Sequence, residues 1–203
     1  MKQLAFMAIT MLLGTAGAFA LSPVNGIAVY YLYAVLRPQF LWEWVEFFGI
    51  RLGEINWSLP VAVCTLVSTA LWRAGVWTPA SAIKPPWYGN PAFTRSHYLF
   101  LAFCAWISLT FVTAQIHAVA WPYFIEYVKI FVMFICATLV LRTTRDLWIV
   151  YFVMLAASAY IAYELNFFYF YYNWIMVQHR GYGGLDNNGA ALILALGIPL
   201  AFF

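Results

Sequence analysis

The chain has 203 residues, of which 66% are hydrophobic, 21% are aromatic and only 8% are charged. A soluble domain is usually about 45–50% apolar and about 25% charged. Ten basic and seven acidic residues cannot cover the surface of a soluble protein of this size, which excludes a soluble enzyme. The high hydrophobicity also excludes a disordered chain. The high aromatic content is typical of a membrane protein, because Trp and Tyr are enriched at lipid headgroups. The composition therefore predicts an all-α protein, a polytopic bundle of transmembrane helices.

Apolar segments in chain order predict about six or seven membrane-crossing helices, because a hydrocarbon core about 30 Å thick needs about 20 helical residues. Ser22 and Pro23 interrupt the first apolar region and separate a full span from a shorter segment. The shorter segment is either a tilted span or a re-entrant segment. The predicted spans are 3–21, 24–36, 55–72, 97–119, 123–141, 147–163 and an incomplete span over 189–203.

The segments between these spans carry most of the charge. Residues 39–54 mix aromatic and charged side chains, which is typical of an amphipathic segment at the membrane interface. A polar loop covers 73–96, and 142–146 form a short charged turn. A turn near Trp121 and Pro122 is expected to separate the fourth span from the fifth.

Both ends of the chain raise a question of processing. Lys2 precedes an apolar core, and Ala18 and Ala20 fit the small-x-small pattern of a signal-peptide cleavage site. An uncleaved first helix is favoured, because further apolar segments follow. The last apolar run, Gly189–Phe203, stops without a flanking charge or a polar tail. We expect the sequence to be cut inside this helix and to be the N-terminal part of a longer protein.

Several kinds of chemistry have no support in the sequence. The net charge of +3 is small and the basic residues are scattered, so no nucleic-acid partner is expected. The three cysteines lie in apolar stretches without a CxxC pair, which favours buried small hydrophobic side chains. No HxxxH or HExxH pattern, P-loop or nucleophile elbow occurs. We therefore expect no metal site and no cofactor.

Glu126 and Lys129 lie inside a predicted span. Their i, i+3 spacing puts them on one face of a helix, where they can pair. Charges within a span normally face the protein interior or a water-filled cavity. Two interpretations follow: the neutralised pair stabilises helix packing, or Lys129 contacts an anionic headgroup in the outer half of the membrane while Glu126 holds it in position.

The segment 180–188 is the second candidate site. Arg180 carries a planar fork of donors suited to phosphate, and three glycines that follow it permit close backbone approach to a ligand. Asp186, Asn187 and Asn188 are good N-cap residues for a helix that begins near residue 189, and a helix N-terminus attracts anions. The segment predicts a pyrophosphate cradle or, alternatively, an ordinary interfacial loop before a capped helix. Asp186 weakens the first interpretation unless its carboxylate caps the helix or orients Arg180.

Three patterns resemble a known family. The segment 180–191 resembles the arginine–glycine–(Asp/Asn)-Asn-x-x-Ala signature of the O-antigen ligase and polymerase superfamily. Glu126-x-x-Lys129 followed by Leu141-Arg142-Thr143 is similar to an earlier pattern of that superfamily. The break at Leu36-Arg37-Pro38, followed by an aromatic segment, is similar to O-glycosylation ligases encoded with exosortase systems. The resemblance covers all 203 residues, as the N-terminal half of such a ligase.

The resemblance implies metal-independent glycosyl transfer at the periplasmic face of the bacterial inner membrane. The donor would be a glycan on undecaprenyl pyrophosphate, and the acceptor a lipid, a protein or a growing glycan. Arg180 matches the arginine that engages the donor pyrophosphate, and Lys129 with Glu126 would support the same anion. The family's catalytic residues lie in a large loop further along, so no catalytic residue is expected in this chain.

Two alternatives remain open beside the ligase. One is an O-antigen or polysaccharide polymerase of the same superfamily. The other is a non-enzymatic transport or assembly subunit, for which internal repeats and helices broken at the midplane would be typical. The chain has no clear repeat, and its glycine-rich break lies at the boundary of a span, which favours the ligase.

The charges also predict an orientation in the membrane. If the loop before the last span is periplasmic, the loop 73–96 and the turn 142–146 are cytoplasmic, in agreement with the positive-inside tendency. If 24–36 does not span, the N-terminus with Lys2 is cytoplasmic; if it does span, the N-terminus is outside. The first option satisfies more charges. The two cytoplasmic segments hold Arg73, Lys84, Arg95, Arg142 and Arg145.

Overall fold

The computed structural model describes residues 2–41, 46–47, 49–51, 53, 55–80, 95–173, 175, 182 and 185–202. Within these residues lie eight helices and one antiparallel pair of two-residue strands, so the all-α class is confirmed. The helices are α1 (Lys2–Ala20), α2 (Pro23–Leu36), α3 (Pro38–Leu41), α4 (Ser58–Arg73), α5 (Arg95–Val112), α6 (His117–Val140), α7 (Thr144–Tyr172) and α8 (Asn187–Phe202). The strands are β1 (Glu46–Phe47) and β2 (Ile50–Arg51).

Two helices, α6 and α7, are long and apolar enough to cross a membrane. Five further helices are apolar but shorter: α1, α2, α4, α5 and α8. This pattern supports association with a membrane.

The breaks between the first helices and before α7 follow the expected residues. Ser22 caps α2, because its Oγ accepts a hydrogen bond from the Val24 amide at 3.2 Å and Pro23 takes the first helical position. Thr143 and Asp146 form a capping box at the start of α7: the Asp146 amide donates to Thr143 Oγ1 at 3.2 Å, and the Thr143 amide donates to Asp146 Oδ2 at 2.9 Å.

Two predicted boundaries differ from the structure. The turn near Trp121 and Pro122 is wrong, since α5 ends at Val112 and α6 begins at His117 with Pro122 inside it. Pro122 is the sixth residue of α6, so it costs the helix one hydrogen bond, to the Ala118 carbonyl, and α6 continues through it. Helix α7 continues past residue 163 to Tyr172, because no glycine or proline interrupts it, and ends where Asn173 adopts a left-handed φ of 50°.

Helices α1 and α2 run antiparallel. Along α1 and α2, Thr10 Oγ1 lies 2.7 Å from the Tyr33 hydroxyl, and Gly17 lies near Asn25. The same geometry holds for α7 and α8, where Gly197 lies against Ser158. One end of the bundle, here called the motif end, therefore contains the C-termini of α2 and α7 and the N-termini of α4, α6 and α8.

Helix α2 lies at the centre of the bundle although it has only 14 residues. It packs against α1, α4, α6 and α7, and more than half of its residues are buried. Because α2 runs antiparallel to α1, the chain's first turn lies at the motif end.

Candidate functional site

A polar recess opens at the motif end between α6 and the connection from α2 to α4. Its volume is about 220 Å³. The floor and walls are formed mostly by polar side chains and by two charged ones. The lining residues are Gln39, Gly53, Ile55, Asn56, Ser58, Glu126 and Lys129.

Glu126 and Lys129 form an ion pair on the α6 side of this recess. Lys129 Nζ donates to Glu126 Oε1 at 2.6 Å, across one turn of the helix. The Lys129 side chain is 39% exposed and the Glu126 side chain 67%, so both face the recess and not the core. An exposed ion pair contributes about 0–1 kcal/mol to stability. The pair therefore contributes little to helix packing.

The recess lies part-way along α6. Lys129 is eleven residues from Val140, or roughly 16 Å along α6, and twelve residues from His117, or roughly 18 Å. Lys129 therefore lies close to the middle of α6.

Arg37 lies two residues before Gln39, which lines the recess, and was not predicted as a site residue. Its guanidinium carbon lies 4.8 Å from the centre of the Phe40 ring, and its Nη1 is buried without a hydrogen-bond partner. The pKa of Arg37 lies below its ordinary value, because burial disfavours the charged guanidinium. The Glu126 carboxylate opposes this shift in part. Arg37 and Glu126 therefore interact electrostatically. The available signal in the sequence was an arginine directly before a proline at a helix end.

The residues before α8 form a capped helix start. Asp186 Oδ1 accepts a hydrogen bond from the Gly189 amide at 2.7 Å, and Asn187 Oδ1 accepts one from the Asn188 amide at 3.0 Å. The helix begins at Asn187, two residues before the predicted start. The Asp186 carboxylate takes up an amide that an anion would otherwise bind, which is one of the two roles the sequence allowed for it. Arg180 lies outside the described residues.

Tyr182 anchors the segment before α8 in the bundle, and sequence reasoning did not single it out. Its backbone exchanges two hydrogen bonds with Leu185, at 3.0 and 2.9 Å. The side chain is 1% exposed and belongs to the core cluster formed by α1, α2, α4, α7 and α8. Met7, Tyr33 and Ile161 are buried in the same cluster.

The Tyr182 hydroxyl and the Glu164 carboxylate interact inside this cluster. Neither Tyr182 Oη nor Glu164 Oε2 has a hydrogen bond of good geometry, although both atoms are buried. Burial, followed by the field of Glu164, raises the pKa of Tyr182 well above its ordinary value, so the phenol stays protonated. The pair lies where the last turns of α7 meet the segment that leads into α8.

The structure therefore gathers the predicted residues into two places at the motif end. Glu126 and Lys129 share the polar recess, whereas Asp186, Asn187 and Asn188 lie at the start of α8. No hydrogen bond or ion pair joins the two groups within the described residues. In the same part of the chain, no three His, Cys, Asp or Glu side chains come together as metal ligands.

Comparisons with protein-family models, curated proteins and solved structures found no match for this chain. Fold and site together define an all-helical protein with membrane-type helices and a cationic side chain in a polar recess. Any more specific function has to be argued from that geometry.

Proposed function

We propose that the chain forms the donor-binding part of a glycan ligase in the bacterial inner membrane. The ligase transfers a glycan from undecaprenyl pyrophosphate to a lipid or protein acceptor at the periplasmic face. The observation that carries the proposal is the Lys129 ammonium group in a polar recess at roughly half the length of α6. A lipid-linked pyrophosphate presents its charge next to its hydrocarbon chain, which fits a cation at that depth.

The distribution of charge supports a periplasmic recess. The end of the bundle opposite the motif end carries the arginines Arg73, Arg142 and Arg145. Among the described residues there, Asp146 is the single acidic side chain. Segments rich in Lys and Arg normally stay in the cytoplasm. In the proposed multi-pass arrangement, the motif end then faces the periplasm.

The chemistry of transfer explains the residue types. When the glycan passes to the acceptor, the undecaprenyl pyrophosphate leaves with its negative charge, and fixed cations stabilise that charge as it develops. Lys129 supplies such a cation, and Glu126 holds the flexible lysine side chain in position at 2.6 Å. Arg180 is proposed to engage the same pyrophosphate, on the basis of its sequence pattern alone. Asp186, Asn187 and Asn188 fix the start of α8 beyond it.

Replacing Lys129 with glutamine is the test of this proposal. A hydrogen bond to a charged group contributes about 1.5–3 kcal/mol, so undecaprenyl pyrophosphate should bind roughly tenfold more weakly or worse. Binding is measured by intrinsic tryptophan fluorescence of the detergent-purified protein. The melting temperature should change little, because the lysine is exposed.

Arg145→Gln at the opposite end is the matched control and should bind like the unmodified protein. Undecaprenol, which has the same hydrocarbon chain without phosphates, should bind much more weakly than the pyrophosphate. Equal binding of the two lipids by the unmodified protein would contradict the proposed donor site.

A further inference from the structure

The backbone at Arg37 is unusual for an arginine. Arg37 ends α2 with φ 47° and ψ 58°, and its amide donates to the Tyr33 carbonyl at 2.9 Å. This left-handed position after a helix is normally taken by glycine or asparagine, because a side chain there is strained. The following residue, Pro38, restricts the conformation further. Glycine would fold here with less strain than arginine.

The side chain at this strained position has unused binding capacity. Arg37 Nη1 is buried and lacks an acceptor, while the guanidinium stays above the Phe40 ring at 4.8 Å. The Glu126 carboxylate acts electrostatically on Arg37. This carboxylate already accepts a hydrogen bond from Lys129 at 2.6 Å. A buried donor without an acceptor destabilises the unliganded protein. An anionic ligand would supply the missing acceptor.

Lys129 and Glu126 line the recess, and Arg37 lies within the electrostatic field of Glu126, two residues before Gln39 of the same lining. Lys129 and Arg37 against Glu126 leave one positive charge, and Gln39, Asn56 and Ser58 add neutral hydrogen-bonding groups. A guanidinium binds two phosphate oxygens at once, whereas an ammonium group acts as a point charge. The combination fits a diphosphate better than a neutral headgroup.

We propose that Arg37 is a ligand of the donor's diphosphate and binds it together with Lys129 in the polar recess. The strained backbone of Arg37 holds the guanidinium at the end of α2. This inference rests on the proposed function, because it names a further residue of the same site. It concerns a residue that does not belong to the segment around Arg180.

Replacing Arg37 with glycine separates binding from folding. Glycine accepts the left-handed backbone, so the melting temperature of Arg37→Gly should stay the same or rise. Binding of undecaprenyl pyrophosphate should weaken at least tenfold. Arg37→Lys, which keeps the charge but loses the fork, should fall between the two. Arg51→Gln removes an exposed arginine from β2 and should change neither quantity.

Inorganic pyrophosphate and undecaprenol, titrated separately, distinguish the diphosphate from the lipid chain. The loss caused by Arg37→Gly should appear with both diphosphate ligands and not with undecaprenol. If Arg37→Gly binds undecaprenyl pyrophosphate as tightly as the unmodified protein, the inference fails and the proposed function stands. If the unmodified protein binds this lipid no better than undecaprenol, the proposed function fails and the inference fails with it.

Discussion

Truncation of Tyr182 to alanine is expected to destabilise the protein by roughly 3–5 kcal/mol, the range observed for removal of large buried aromatic side chains. Tyr182 is 1% exposed and packs among residues from several helices of the core cluster. Its removal leaves a cavity at the point where the segment before α8 meets the bundle. Thermal unfolding of the detergent-purified protein, followed by circular dichroism, measures the effect.

Tyr182→Phe is the matched variant. The hydroxyl is buried without a hydrogen bond of good geometry, so its removal eliminates a desolvated polar atom and leaves the packing intact. The melting temperature should therefore stay the same or rise. A loss as large as that of Tyr182→Ala would mean that the hydroxyl is bonded, with Glu164 as its partner, and would contradict the arrangement described.

The second large effect is expected at Gly26, where α2 and α4 are in closest contact. A Cβ added to Gly26 would overlap Thr65 Oγ1 and lie 3.0 Å from Thr65 Cβ. Thr65 is fully buried, and its hydroxyl donates to the Val61 carbonyl at 2.6 Å, so it has no free direction in which to move. Small residues allow such close helix contacts in membrane proteins. Gly26→Ala should destabilise the protein by about 1–3 kcal/mol or more.

Gly17 in α1 is the matched control for this change. The nearest atom to an added Cβ is Asn25 Cβ at 3.8 Å, which is ordinary contact. Gly17→Ala should therefore leave the melting temperature unchanged or raise it, because alanine stabilises a helix by about 0.5–1 kcal/mol relative to glycine. Equal losses for Gly17→Ala and Gly26→Ala would show that the close contact with Thr65 is not what limits the packing.

Most of what the sequence predicted correctly is local. The break at Ser22, the turn before α7 and the cap at Asp186 all depend on side chains that bond to backbone amides two or three residues away. Such interactions form independently of the rest of the chain. The turn near Pro122 was wrong because a proline near the start of a helix has the same composition signal as one between helices.

The candidate site was predictable in part. The spacing of Glu126 and Lys129 was enough to predict a pair, since i, i+3 residues of a helix are neighbours. Their placement in a recess was not, because the other walls come from residues 39–58, far away in sequence. Arg37 comes into the electrostatic field of Glu126 only through the packing of α2 beside α6.

The sequence by itself determined the all-α class, the apolar helices and their caps, because composition and hydrogen bonds between near neighbours fix these. Only the tertiary structure decided that the short α2 is the central helix and that Tyr182 is buried. The physical reason is that helices apolar on all sides do not reveal which face meets protein and which meets lipid. Close packing against specific neighbours, such as Gly26 on Thr65, makes that choice.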